Sequence, residues 1–313
     1  MQDSVKILKS ILYNVEKVIV GKRHAIELVI IALICDGHVL IEDVPGVGKT
    51  SLVSALAKSI NASFSRIQFT PDILPSDISG FSVYNQKTGE FEFRPGAIMS
   101  QLILADEINR TSPKTQSSLL EAMEEKQVTV DGITYKLPRP FMVLATQNPV
   151  EYLGTYPLPE AQLDRFFLKI TLGYPRSNDE SFILKRFLLE SPLDTLEPVA
   201  DSQDILDIQK EVRKVHVDSS LYDYIVEIAS ETRKHSDIVL GASPRGSLYL
   251  LRAAQGWAFY NGRDYVIPDD IKRMAAPVLA HRIILKQEAS LKKTTSEDIL
   301  ESIMYETDVP VVS

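Results

Sequence analysis

The chain has 313 residues, 44% hydrophobic and 24% charged, with a formal net charge of −8; this is the make-up of a globular protein of two ordinary domains and excludes disordered or fibrous classes. The acidic balance repels polyanions, which argues against general binding to nucleic acid or an anionic membrane. A single cysteine, Cys35, excludes an intrachain disulfide and suits a reduced, cytoplasmic setting with a small core role.

In chain order, the opening MQDSVKILKS has no signal-peptide layout. The first long apolar run, Leu28 to Cys35, is far below the roughly 20 residues that cross a bilayer, so no membrane insertion is expected. From there to about Pro175, short apolar runs alternate with helical patterns, which predicts a parallel sheet covered by helices. The runs are His38 to Glu42, Arg66 to Phe69, Leu102 to Ala105, Phe141 to Ala145 and Phe167 to Thr171. Several have almost no polar alternation, as in strands buried on both faces.

The first run leads directly into Asp43-Val44-Pro45-Gly46-Val47-Gly48-Lys49-Thr50 and a predicted helix, Ser51 to Ser59. Glycines let the backbone curl so that successive N–H groups face phosphate oxygens at a helix N-terminus. Lys49 would then neutralise the outer phosphates and the Thr50 hydroxyl would ligate Mg²⁺. Asp43 stands where the usual pattern has its first glycine, and aspartate tolerates unusual backbone angles better than most residues.

Two hairpins are predicted within this half. One runs from Phe81 to Phe93 with its turn at Gln86 to Gly89; the other pairs Val128 to Val130 with Ile133 to Tyr135 across Asp131-Gly132. Neither is needed to complete a sheet, and each suits a functional insertion or plain packing equally well. The same two readings hold for Tyr84, Phe91 and Phe93, which can line a pore or pack.

Between the hairpins, the run Leu102 to Ala105 ends in Asp106-Glu107. At the C-terminal edge of a sheet, Asp106 would hold Mg²⁺ through water and Glu107 would polarise the attacking water. Taken alone, the pair reads equally as a solvated strand end. After Phe141 to Ala145 comes Thr146-Gln147-Asn148-Pro149, where the Asn148 amide can bond a γ-phosphate and a water without repelling either. An asparagine before proline is also a common turn former. The order of the three motifs is what favours the phosphate chemistry.

Two arginines follow. Arg165, just before the run Phe167 to Thr171, has the planar, permanent charge that stabilises a transferring phosphoryl group; taken without the other motifs, it reads rather as a structural partner of Asp164 or of a nearby carbonyl. Beyond Pro175, residues 176–200 read as a linker or hinge, and 201–313 as helical, with amphipathic segments at Ser202 to Lys214, Ser219 to Lys234, Ser243 to Asn261 and Pro268 to His281. Ser243-Pro244 is an N-cap followed by a first-turn proline, and Gly262 a stop. Arg245 therefore lies in a first turn, where a cation is disfavoured unless an anion is near; an exposed arginine reaching water is the other reading. The five histidines, His24, His38, His216, His235 and His281, lack metal-ligand spacing and read as structural or surface residues.

Together, Gly37 to Thr50, Asp106-Glu107-Ile108-Asn109-Arg110, Ala145 to Pro149, Leu163-Asp164-Arg165-Phe166 and Ser243-Pro244-Arg245 resemble the AAA+ ATPases and, within them, closely the MoxR family. The resemblance implies an α/β P-loop NTPase core over 1–175, with a parallel sheet and β-hairpin insertions, followed by an all-α lid domain. It implies Lys49 and Thr50 as Walker A residues in a loop with Gly46, Val47, Gly48 and Ser51, and Asp106 and Glu107 as Walker B. Asn148 becomes sensor 1, Arg165 the arginine finger and Arg245 sensor 2. Val18 to Gly21, with Val20 and Gly21, becomes the adenine-contacting stretch. The cofactors implied are ATP and Mg²⁺, the metal held through Thr50 and Asp106. The implied assembly is a homo-oligomer, a hexameric ring in which both arginines act across subunit boundaries. The implied role is chaperone-like remodelling or maturation of a protein client, such as one bearing a von Willebrand factor A domain. A nucleic-acid motor, a metal-chelatase ATPase subunit and a nucleotide-gated scaffold with little turnover are the alternatives.

Overall fold

A computed structural model describes residues 1–148, 155–187 and 192–310. The N-terminal half contains α1 (Gln2–Glu16), α2 (Arg23–Ile34), β1 (Val39–Glu42), α3 (Lys49–Ser59), β2 (Phe64–Gln68), α4 (Pro75–Ser79), β3 (Gly80–Asn85), β4 (Glu90–Pro95), β5 (Leu102–Asp106), α5 (Pro113–Glu125), β6 (Gln127–Val130), β7 (Ile133–Lys136), β8 (Met142–Gln147), α6 (Glu160–Leu163) and β9 (Leu168–Ile170). The remainder contains α7 (Ser177–Phe187), α8 (Ser202–Val212), α9 (Ser219–Lys234), β10 (Ile238–Leu240), α10 (Pro244–Tyr260), α11 (Pro268–Leu279), β11 (Ile284–Leu285), α12 (Gln287–Leu291) and α13 (Ser296–Glu306).

The five predicted apolar runs become one parallel sheet in the order β2-β5-β8-β1-β9. Because side chains alternate along a strand, β1, β5 and β8 each divide between two cores. Leu102, Leu104, Met142 and Leu144 join α1 to α3 and the helical C-terminal part. Ile103, Ala105, Val143 and Ala145 face the other way, onto Leu119, Leu120 and Met123 of α5. Burial on both faces is why β5 and β8 carry no polar alternation.

The run Leu28 to Cys35 forms most of α2, whose residues Leu28 to Ile34 are all buried. It packs against α1, α8, α10 and β9, so it joins the sheet to the helices that follow. Both hairpins stand outside the sheet as separate antiparallel pairs, β3-β4 and β6-β7. Asp131 (φ 51°) and Gly132 (φ 79°) make the second tight turn, with the two left-handed residues that a type I′ turn requires. The hairpins touch through Phe93 and Tyr135, stacked at 3.9 Å, while Tyr84 and Phe91 remain exposed.

The four amphipathic segments are α8 to α11, and the Ser243 hydroxyl caps α10 by accepting from the Gly246 N–H at 3.1 Å. Two features add detail to these expectations. The lid is helical but also carries the antiparallel pair β10-β11, because the chain entering α10 and the chain leaving α11 meet side by side. Within the 176–200 linker stretch, Ser177–Phe187 is helix α7; Asp179 and Glu180 in its first turn and Lys185 and Arg186 in its last favour that helix through its dipole.

Candidate nucleotide site

The loop after β1 lies at the C-terminal edge of the sheet. Gly46 (φ 85°) and Gly48 (φ 93°) take the left-handed backbone that turns it, and a Cβ at Gly46 would meet no atom within 4 Å. Lys49, first residue of α3, donates from Nζ to the carbonyls of Asp43 at 3.0 Å and Val44 at 3.3 Å. The ammonium is thereby centred over the loop. Asp43 is not among the residues with positive φ, so its backbone tolerance is not what the position uses. Its carboxylate instead accepts from Leu172 N–H and, at 2.8 Å, Gly173 N–H. That tie holds the exit of β9 against the phosphate loop.

Beside the loop lies a cleft of about 430 Å³, lined by Val18 to Val20, Gly46 to Gly48, Ser51, Tyr174, Pro175 and, from α7, Ile183 and Leu184. Its mixed apolar and loop-backbone walls fit a base and ribose next to a phosphate cradle. Gly21 is not on this wall. It lines a neighbouring cavity, and a Cβ there would stand 2.3 Å from the Asp179 carboxylate. The contact expected of Gly21 is thus a close approach to α7.

Asp106 ends β5 and is held from both sides: Arg66 Nη2 donates to Oδ2 at 2.6 Å and Thr146 Oγ1 to Oδ1 at 2.7 Å. Glu107 follows in a left-handed conformation, φ 58° and ψ 49°, rare for a residue with a side chain. Its N–H donates to Thr146 Oγ1 at 2.8 Å. Its carboxylate accepts from Gln68 Nε2 at 2.9 Å and lies 3.2 Å from Arg110 Nη1. Asn148 follows β8 and is buried; Pro149 lies outside the described residues. Since β8 runs between β5 and β1, Asn148 emerges between the carboxylates and the phosphate loop.

Thr50, in the first turn of α3, and Asp106 supply a hydroxyl and a carboxylate, the hard oxygen donors that Mg²⁺ takes alongside phosphate and water. Among the described residues no group of three or more His, Cys, Asp and Glu could hold a metal. Such a cage is not what a nucleotide-borne Mg²⁺ needs.

The two arginines stand elsewhere. Arg165 precedes β9, and with Arg245 it lines a cavity of about 230 Å³ that includes Gly37 and His38, the residues leading into β1. This is the N-terminal edge of the sheet, about 13 Å from the phosphate loop over the four residues of β1. Both guanidinium groups meet Glu124 at the end of α5: Arg245 Nη2 at 2.6 Å from Oε1 and Arg165 Nη2 at 3.2 Å from Oε2. Glu124 thus supplies the anion that the first-turn position of Arg245 calls for. Asp164 is engaged by Arg282 at 2.9 Å and by the Ser243 hydroxyl at 2.9 Å; Arg245 Nε lies 3.9 Å from it.

Sequence reasoning missed Arg66, Gln68 and Glu124 and left Arg110 and Thr146 without roles. Arg66 and Gln68 alternate on one face of β2, a pattern that would have indicated a shared task. Nothing local distinguishes Glu124 from Glu121 or Glu125 on the same helix.

Residues 38–168 match the ATPase family associated with various cellular activities (AAA), and residues 230–303 match the AAA lid domain. The chain is 56% identical over 310 residues to the uncharacterized protein YeaC of Bacillus subtilis, covering 99% of this chain and 97% of that one. It is 40% identical over 318 residues to Chaperone MoxR1 of Mycobacterium tuberculosis, covering 99% and 84%. A crystal structure of a Cytophaga hutchinsonii protein, provisionally assigned as an ATPase, superposes with a TM-score of 0.92 at 43% identity, covering 99% of this chain and 97% of that one. A parallel sheet with a glycine-turned phosphate loop and a helical lid defines an AAA+ ATPase. The chain belongs to the MoxR family of these proteins.

Proposed function

We propose that this protein binds Mg-ATP on the loop Asp43 to Thr50, hydrolyses it, and does so as a ring of identical subunits that remodels a protein client. The observation that carries the reading is the strand order β5-β8-β1. It sets Asp106-Glu107, Asn148 and the Lys49 loop side by side at one sheet edge, the constellation phosphoryl transfer requires. Lys49 and the α3 N-terminus receive the phosphates, and Thr50 with Asp106 holds the Mg²⁺, whose charge neutralises that of the triphosphate. Glu107 accepts a proton from the attacking water, and Asn148 orients water and γ-phosphate.

Arg165 and Arg245 line neither the phosphate loop nor the adjoining cleft of their own chain. That placement supports their delivery to a neighbour's nucleotide, which makes the ring the catalytic unit. The name of the mycobacterial relative supports a chaperone-like role, with exposed Tyr84 and Phe91 offering contact surface to a protein client. A client with a von Willebrand factor A domain would fit the family reading.

Glu107→Gln is expected to retain ATP affinity while turnover falls at least about 100-fold, the loss of a general base. Lys49→Ala is expected to weaken ATP binding by tenfold or more, roughly the 1.4 kcal/mol or greater value of a charge-assisted phosphate contact. Calorimetry with ATP and a phosphate-release assay separate the two. Undiminished turnover in Glu107→Gln would remove that residue as the base.

A further inference from the structure

Glu124 holds both proposed trans-acting arginines in one chain, Arg245 through Oε1 at 2.6 Å and Arg165 through Oε2 at 3.2 Å. Arg165 comes from the segment before β9 and Arg245 from the lid, so this carboxylate is where core and lid arginines converge. Two permanent cations repel one another when brought together. A carboxylate spanning them offsets that repulsion and presents them as a pair. An oxyanion of a γ-phosphate carries the same charge and accepts the same bonds. A carboxylate and a triphosphate therefore compete for one pair of guanidinium groups.

We infer that Glu124 is a positioning residue that stands in for the neighbouring subunit's γ-phosphate: it pairs Arg165 and Arg245 while no triphosphate faces them and releases them when one does. This rests on the reading of both arginines as trans-acting and goes beyond it by assigning a residue that controls their engagement. The three side chains are 31–38% exposed, so water screens the pair and its hold is modest. A weak hold suits release. Asp164, 3.9 Å from Arg245 Nε, and Glu121 and Glu125, which line the cavity beside Arg165, stay in place throughout.

The test is nucleotide-dependent assembly of the full chain, followed by sedimentation against protein concentration with Mg²⁺ and either ADP or the non-hydrolysable ATP analogue AMP-PNP. Glu124→Gln keeps the side-chain shape and removes the competing charge. With AMP-PNP its half-assembly concentration is expected to fall about two- to fivefold, the range of a partly exposed ion pair, and less at high salt. With ADP, which offers no γ-phosphate, it is expected to match wild type. Equal shifts with both nucleotides would assign Glu124 an ordinary interface role, and no shift would remove the competition; either overturns the inference. Turnover of Arg165→Ala and Arg245→Ala separates the levels. Wild-type rates in both would overturn the trans-arginine reading, whereas lost turnover without the Glu124→Gln shift would overturn this inference alone.

Discussion

Glu107 is held in a backbone conformation that costs a residue with a side chain about 1–2 kcal/mol, and its neighbours over-determine it. The Thr146 hydroxyl accepts from the Glu107 N–H while donating to Asp106, so one side chain fixes both carboxylates. Strain maintained in this way is typical of groups that must be aimed. His38 shows the opposite economy. Its Nδ1 accepts from Val143 N–H at 3.0 Å, which leaves the proton on Nε2 to donate to the Met123 carbonyl at 3.1 Å. Burial pushes its pKa down to about 4, against about 6.5 for an unfolded histidine. Between these values the unfolded chain binds a proton that the folded one does not, so stability is full above pH 6.5 and declines as pH falls toward 4. Burial lowers the pKa of His281 as well and acts in the same direction. The His38 contribution lost between pH 7 and pH 5 is about 2 kcal/mol. Urea unfolding at the two pH values should show a steeper loss for wild type than for His38→Gln; parallel slopes would contradict the assignment.

At the scale of elements, α2 explains how a short apolar run can matter without crossing a membrane. A helix apolar on all sides must be covered on all sides, and here β9, α1, α8 and α10 cover it. No helix of the described residues is long and apolar enough to span a bilayer. The β3-β4 hairpin depends on two glycines at its base. A Cβ on Gly96 would stand 2.1 Å from the Ile78 carbonyl oxygen and 2.5 Å from the Gly80 nitrogen, both backbone atoms that cannot rotate away. Gly96→Ala should therefore push the hairpin off its base and cost about 1–3 kcal/mol, while ATP affinity stays unchanged. Denaturant unfolding and calorimetry on the same preparation check both parts; weakened ATP binding would mean that the hairpin supports the nucleotide site.

At the scale of the whole molecule, core and lid meet through Arg282. Its side chain is 1% exposed, and it bonds Asp164 and the Phe166 carbonyl on either side of Arg165. Burial lowers its pKa to about 10, which leaves it charged at neutral pH and matched to Asp164. The Ser243 hydroxyl, which caps the helix bearing Arg245, also bonds Asp164. The backbone segments that carry Arg165 and Arg245 are consequently tied together through Asp164 and Arg282, away from the nucleotide loop. If the pair serves a neighbour, turnover per subunit should rise with protein concentration. Mixing inactive Arg165→Ala and Glu107→Gln subunits should restore part of the activity, because some interfaces then carry both intact groups. Absence of recovery in mixed rings verified by native mass spectrometry would count against trans action.

The sequence by itself determined the five strands, both hairpins, the four principal lid helices and the phosphate loop. Each is written in local terms: unbroken apolar runs, an Asp-Gly turn, a Ser-Pro cap and glycines ahead of Lys49. The candidate site was legible where its proposed groups adjoin on one short segment, as with Asp106-Glu107 at the end of β5. Tertiary structure alone decided that β8 lies between β5 and β1, that Arg66, Gln68 and Thr146 surround the carboxylates, and that Asp43 works through its side chain. It also decided that Glu124 gathers two arginines 80 residues apart in numbering, at the sheet edge opposite the phosphate loop. The physical reason is that periodicity and turn chemistry encode what a residue does with its chain neighbours. Which distant groups share a charge or a hydrogen bond depends on how the finished elements pack, and packing leaves no periodic mark on the chain.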